Sequence, residues 1–187
     1  AQAPSAQGSL AEAGVGVALL FMPSPGNSGG PLAGVRVLDL CHYQNGPSAT
    51  GQLADNGAEV IKVEPPEGDG MRFVVAPGMM WGQIEAFNRG KRSITLDFKQ
   101  EDAAVVMERL VKWADVLAEN FRPGVLDKLG FGYDRCKQWN PRLIYASNSG
   151  FGPKGEWARR PSYDSIAQGF AGPMQAQGGG PSHEPQE

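Results

Sequence analysis

Residues 35–63 read VRVLDLCHYQNGPSATGQLADNGAEVIKV. Two short apolar runs led by β-branched residues, Val35–Leu40 and Glu59–Val63, read as strands. Between them, Pro47 suits a first helical turn, where its missing N–H costs nothing. Gly57 suits the position just past a helix end. The stretch therefore predicts strand, helix over Pro47–Asn56, and strand, with Pro65 and Pro66 ending the second strand.

The alternation continues downstream. Ser93–Asp97 (SITLD), Asp115–Glu119 (DVLAE) and Arg142–Ser147 (RLIYAS) read as three more strands. Gln100–Trp113 carries Ala103, Val106, Met107, Leu110 and Val111 at helical spacing. Pro123–Leu129 and Tyr133–Trp139 read as short helices split by Gly130, and another helix begins in Tyr163–Ala171. Strands joined by helical crossovers imply a Rossmann-like α/β fold, a parallel sheet with helices on both faces. Residues 1–31, rich in Ala, Gly, Ser and Pro, read as a poorly ordered lead-in with a short helix at Leu10–Leu20. Residues 32–176 form the ordered part, and 177–187 (QGGGPSHEPQE) read as a flexible tail. The chain does not begin with Met and both ends look arbitrary, so it is expected to be a portion of a longer protein.

The 187 residues suffice for one domain, and 41% hydrophobic with 20% charged residues places it among globular chains. A net charge of -3 argues against a general nucleic-acid binder, which needs a basic excess to neutralise phosphates. Cys41 and Cys136 show no metal or C-x-x-C spacing, and His42 and His183 are the two histidines, so neither a disulfide framework nor a metal site is expected. A reducing compartment fits, and cytoplasm and mitochondrion both remain open. No run approaches the ~18 apolar residues of a membrane span. The apolar segment Ala13–Met22 is short and lacks the basic lead of a secretory signal.

In open parallel sheets the ligand sits beyond the carboxyl ends of the strands. That rule singles out the loops at 41–47, 64–72, 97–99, 119–124 and 148–163. The first offers polar side chains and a helix N-terminus suited to an anion, or is an ordinary βα turn. The second cationic cluster, Arg89, Lys91, Arg92 and Lys99, places only Lys99 at the ligand edge; its charges otherwise read as solvated surface. The third, Glu119–Gly124 with Lys128, offers Phe121 to stack on a base and Arg122 and Lys128 to meet phosphate, or is a helix-start turn with a buried Phe. Neither G-x-G-x-x-G nor G-x-x-x-x-G-K-[ST] occurs, so the usual nicotinamide, flavin and P-loop fingerprints are absent.

The stretches PLAGVRVLDL, GAEVIKVEPPEGD, NRGKRSITLDFK, ADVLAENFRPGVLDKLG, NPRLIYASNSGFG and RPSYDSIAQ, in that order, closely resemble the class III CoA-transferase family. That family includes formyl-CoA:oxalate and carnitine CoA-transferases and α-methylacyl-CoA racemase. The resemblance runs from about Leu32 to about Met174. It implies the N-terminal part of a large Rossmann-like domain, with the family's small domain absent from this stretch. At full length it implies an interlocked homodimer. The implied ligand is coenzyme A, acting as substrate rather than resident cofactor, with an acyl-CoA and a free carboxylic acid as partners. Carried over by motif, the CoA contacts are His42, Gln44, Asn45, Leu96, Lys99, Asn120, Phe121, Arg122 and Lys128, with Tyr163 near the thioester end. Lys99, Arg122 and Lys128 are the candidates for the phosphates. Where some members carry an arginine contact, this chain has Pro65.

In the transferases an aspartate attacks the acyl-CoA carbonyl, and mixed-anhydride and aspartyl-CoA intermediates pass CoA to the second acid. The family's aspartate follows the Tyr-Asp motif by roughly thirty residues, which falls beyond Glu187. No catalytic residue is therefore assigned to this chain, and these residues alone are expected to be inactive. The racemase branch uses a His aligned with Tyr163, so tyrosine there favours the transferases. Two other readings stay open: a non-catalytic CoA-binding module, and a Rossmann-like protein for another nucleotide.

Overall fold

The computed structural model describes residues 19–20, 29–73 and 81–185. The strands are β1 (Leu19–Leu20), β2 (Arg36–Asp39), β3 (Glu59–Glu64), β4 (Arg92–Thr95), β5 (Val116–Glu119) and β6 (Ile144–Ser147). The helices are α1 (Asn45–Asp55), α2 (Trp81–Asn88), α3 (Ala103–Trp113), α4 (Val125–Lys128), α5 (Tyr133–Trp139), α6 (Asp164–Ala171) and α7 (Pro173–Gln177), with a 3-10 turn at Gly70–Arg72. The sheet runs β1-β4-β3-β2-β5-β6. Strands β2 to β6 are mutually parallel, as the alternating pattern predicts, and β1 lies antiparallel against β4.

Facing residues in register share a face of the sheet, and here the two faces are covered by different helices. On one face Val37 and Val60 join Ala54 of α1 in a small core. On the other, Leu38, Val63, Ile94 and Leu117 pack with Met107 and Val111 of α3 and Cys136 of α5. Burial on both sides explains why β2 and β3 read as nearly continuous apolar runs. Two glycines permit the close approach of α1. A Cβ on Gly46 would lie 2.5 Å from Cys41 Sγ, and one on Gly51 would lie 2.8 Å from the carbonyl oxygen of Phe87 in α2.

Three expectations change. The helix expected at Leu10–Leu20 is not formed at its described end: Leu19 and Leu20 pair with Ile94 and Ser93. Pairing with the open edge of β4 satisfies backbone groups that a local helix signal does not weigh. The rest of that segment lies outside the described residues. Helix α2 was not expected, because WGQIEAFN is short and interrupted by Gly82. Residues 178–185, read as tail, turn back on α7, where the Gln175 side chain donates to the carbonyls of Gly180 and His183.

The chain visits β2, β3 and β4 on one side of the sheet and then returns across β2 to lay down β5 and β6. The reversal falls between β2 and β5. At such a switch point the loops leaving the two strands diverge and open a crevice at the carboxyl edge.

Candidate functional site

The loops leaving β2 and β5 are joined by one side chain. Asn120 Oδ1 accepts from the His42 N–H at 2.8 Å, and Asn120 Nδ2 donates to the His42 carbonyl at 2.8 Å and to Asn45 Oδ1 at 3.0 Å. The amide thus bridges the switch point and pins the first residue of α1. The His42 ring meets Phe121 edge-on, with centroids 5.3 Å apart. Burial, the largest influence, holds the His42 imidazole below its ordinary pKa despite the nearby Asp69 carboxylate, so it is neutral at pH 7.

Phe121 is half-buried against the larger core, and its N–H donates to Glu119 Oε2 at 2.8 Å. Burial raises the Glu119 pKa from its ordinary value, and hydrogen bonds from Ser147 and the Phe121 N–H only partly oppose it.

The remaining residues singled out from the sequence are spread along the same edge. Gln44 is exposed at the N-cap of α1, without a capping bond from its side chain. Lys99 is exposed beyond β4, in a turn whose N–H bonds Asp97 Oδ1 at 3.0 Å. Arg122 and Lys128 are exposed, before and at the end of α4. Leu96 differs from the rest: its side chain is buried in the core, and its N–H donates to the Glu64 carbonyl at 2.8 Å. Tyr163 caps α6 from outside and meets Tyr43 edge-on at 5.8 Å. The structure therefore gathers His42, Asn45, Asn120 and Phe121 into one cluster and leaves Lys99 two strands away from it.

Sequence reasoning missed the charged layer beneath this cluster. On the α1 face, the position after Val37 and Val60 in the ladder is Asp39 facing Lys62. Both are buried, yet each finds its ion pair elsewhere. Lys91 Nζ lies 2.9 Å from Asp39 Oδ2, and Lys62 Nζ lies 2.9 Å from Asp69 Oδ2. Lys91 also donates to the Pro47 carbonyl at 2.8 Å and to Asn88 Oδ1 at 3.0 Å. Read from sequence as solvated charge, the Lys91 side chain is in fact 2% exposed. The cost of desolvating the Lys91 ammonium is offset because each of its three N–H donors has a partner. Thr50 of α1 donates to Asp39 Oδ2 at 2.7 Å, and a single Arg72 nitrogen, Nη2, lies 3.0 and 3.1 Å from the two Glu64 carboxylate oxygens. A signal was present: Asp39 and Lys62 are charges toward the far ends of strands predicted to be covered on both faces, where a charge requires a partner.

Tyr43 was also missed. It has φ 63, the one left-handed non-glycine backbone among the described residues. Such a conformation is uncommon for a bulky side chain and persists only where the surroundings over-determine it.

The chain matches the model of CoA-transferase family III over residues 32–187. It is 47% identical over 160 residues to the acetyl-CoA:oxalate CoA-transferase of Acetobacter aceti, covering 83% of this chain and 40% of that protein. It is 43% identical over 157 residues to the succinate–glutarate CoA-transferase of Agrobacterium fabrum, covering 79% and 39%. Its structure superposes on that of a CAIB/BAIF family protein from Brucella suis with TM-score 0.78 at 44% identity, covering 84% of this chain and 43% of that one. The chain spans about two fifths of the length of the curated relatives it matches. With sequence motifs, sheet order and family model in agreement, the chain belongs to CoA-transferase family III.

Proposed function

We propose that the carboxyl edge of this sheet binds coenzyme A thioesters. In that reading the chain supplies the CoA-binding part of an enzyme that moves CoA from an acyl-CoA to a free carboxylic acid through an aspartyl-CoA intermediate. No residue of this chain is assigned as the nucleophilic aspartate. The observation that carries the reading is the switch point bridged by Asn120, flanked by separated cations at the same edge. Lys99 follows β4 and Arg122 follows β5, three inter-strand intervals apart, or about 14 Å at ordinary strand spacing. One phosphate cannot meet both. An elongated ligand carrying phosphates at separate points can, and coenzyme A is such a molecule. The half-buried Phe121 and the neutral His42 supply an aromatic wall between them. The relatives act on different acids, acetyl and oxalate in one case and succinate and glutarate in the other, so the acid pair is left unassigned.

Calorimetric titration of the chain with CoA is the test. Lys99→Ala and Arg122→Ala are each expected to weaken binding about tenfold, the worth of one charge-assisted contact at an exposed site. The loss is expected to shrink at high salt. NAD is not expected to compete. Unchanged CoA affinity in both variants, or displacement by NAD, contradicts the proposal.

A further inference from the structure

From the Cys41 N–H to the Tyr43 N–H, each main-chain polar group is held by a side chain from outside the loop or from Asp39. The Cys41 N–H donates to Asp39 Oδ1 at 2.9 Å, and the Cys41 carbonyl accepts from Lys62 Nζ at 2.6 Å. The His42 N–H and carbonyl are both taken by Asn120. The Tyr43 N–H donates to Asp69 Oδ1 at 2.9 Å, an oxygen that also accepts from the Met71 N–H at 2.9 Å. Lys62 and Asp69 are ion-paired to each other and nearly inaccessible, with side chains 3% and 1% exposed. One pair therefore grips the loop on both sides of His42, from β3 and from the segment after it.

The consequence is directional. With its polar backbone turned inward, the loop presents Tyr43, Gln44 and Asn45 outward, and all three are exposed. Tyr43 is held at φ 63, with its ring against Tyr163 and its phenol over Gly70, where a Cβ would lie 2.7 Å from Tyr43 Oη. A left-handed tyrosine costs free energy unless something fixes it, and the Asp69 acceptor is the group that bonds its N–H. A loop fixed before the ligand arrives spares the ordering cost of binding.

We infer that Asp69, anchored by Lys62, is a positioning residue that sets the backbone of residues 41–43 for the ligand. It touches no ligand itself and acts through the Tyr43 N–H. The claim rests on the CoA-binding reading above for the identity of that ligand.

Two double variants isolate the acceptor. Lys62→Met with Asp69→Asn removes both buried charges and keeps an oxygen for the Tyr43 N–H. Lys62→Met with Asp69→Leu removes the charges and the oxygen. Val111→Ala, a core truncation in α3 away from the loop, serves as a destabilised control. The first double variant lacks the Lys62 contact to the Cys41 carbonyl and is expected to bind CoA about threefold more weakly than the parent. The leucine variant is expected to bind about tenfold more weakly, with amide hydrogen exchange at Tyr43 about tenfold faster. Val111→Ala is expected to leave affinity and Tyr43 exchange near the parent values despite its lower melting temperature. Equal affinity and equal Tyr43 protection in the two double variants overturn the inference, as does a Val111→Ala effect as large as the leucine effect. Should the parent bind no CoA, the functional proposal fails, and Tyr43 exchange in the two variants still decides the positioning role.

Discussion

Replacing Lys91 with methionine is expected to cost about 3–5 kcal/mol of folding stability at neutral pH, the usual penalty for stranding one member of a buried ion pair. Asp39 is 0% exposed, and Lys91 supplies its nearest cation at 2.9 Å. Burial alone would raise the Asp39 pKa, but Lys91 and Lys62, helped by the Thr50 hydroxyl, outweigh it and hold the carboxyl below the ordinary range. The sign of the pH dependence follows. In the parent, Asp39 adds stability above its unfolded pKa of about 3.9, and that stability is lost as pH falls through the lower folded value. In Lys91→Met the burial influence dominates instead, so the carboxyl favours its neutral form. The variant's deficit is then largest near pH 7.5 and shrinks on acidification toward about pH 4.5, where a protonated Asp39 needs no cation. Asp39→Asn in the same chain is expected to recover most of the loss, because asparagine can still accept from the Cys41 N–H. Urea unfolding at the two pH values measures this. A deficit below about 1 kcal/mol at pH 7.5, or one that does not change with pH, contradicts the pairing.

Asn120→Ala is expected to produce the largest loss of ligand affinity, about ten- to a hundredfold for CoA, with about 1–3 kcal/mol of stability. The substitution removes three hydrogen bonds at once and leaves the His42 N–H and carbonyl without their partner. It also frees the first turn of α1 from the β5 loop. Asn120→Asp separates the two halves of the bridge. It keeps the acceptor for the His42 N–H but turns an oxygen toward the His42 carbonyl and Asn45 Oδ1, where the parent has a donor. Aspartate is therefore expected to be no better than alanine for binding. An aspartate variant with parent affinity would show that the Nδ2 contacts carry nothing.

The parallel strands were legible because VRVLDL, EVIKV, DVLAE and RLIYAS each join short apolar runs to turn punctuation, and the structure places a strand in every one. Boundaries moved by a few residues: α3 starts at Ala103 rather than Gln100, since residues 100–102 form turns. Strand β1 was not legible, because an antiparallel pair at a sheet edge is a tertiary event that Leu19 and Leu20 do not encode alone. Nor was the burial of Lys91, whose partner Asp39 lies 52 positions earlier in sequence. At the site, the carboxyl-edge rule named from topology the two loops that the structure joins through Asn120. The bond between Asn120 and His42 spans 78 positions, and only the folded sheet brings them together. Tyr43 left no trace in sequence, since its distinguishing feature is a backbone angle.

The most direct measurement is a titration of the isotopically labelled chain with CoA, followed residue by residue through backbone amide shifts. The expected result is a saturable response at His42–Asn45, Leu96–Lys99 and Asn120–Arg122, the three carboxyl-edge loops, with the amino edge at Lys91, Arg92 and Asp115 still. Shifts at the amino edge instead, or none at saturating CoA, contradict binding at the switch point between β2 and β5.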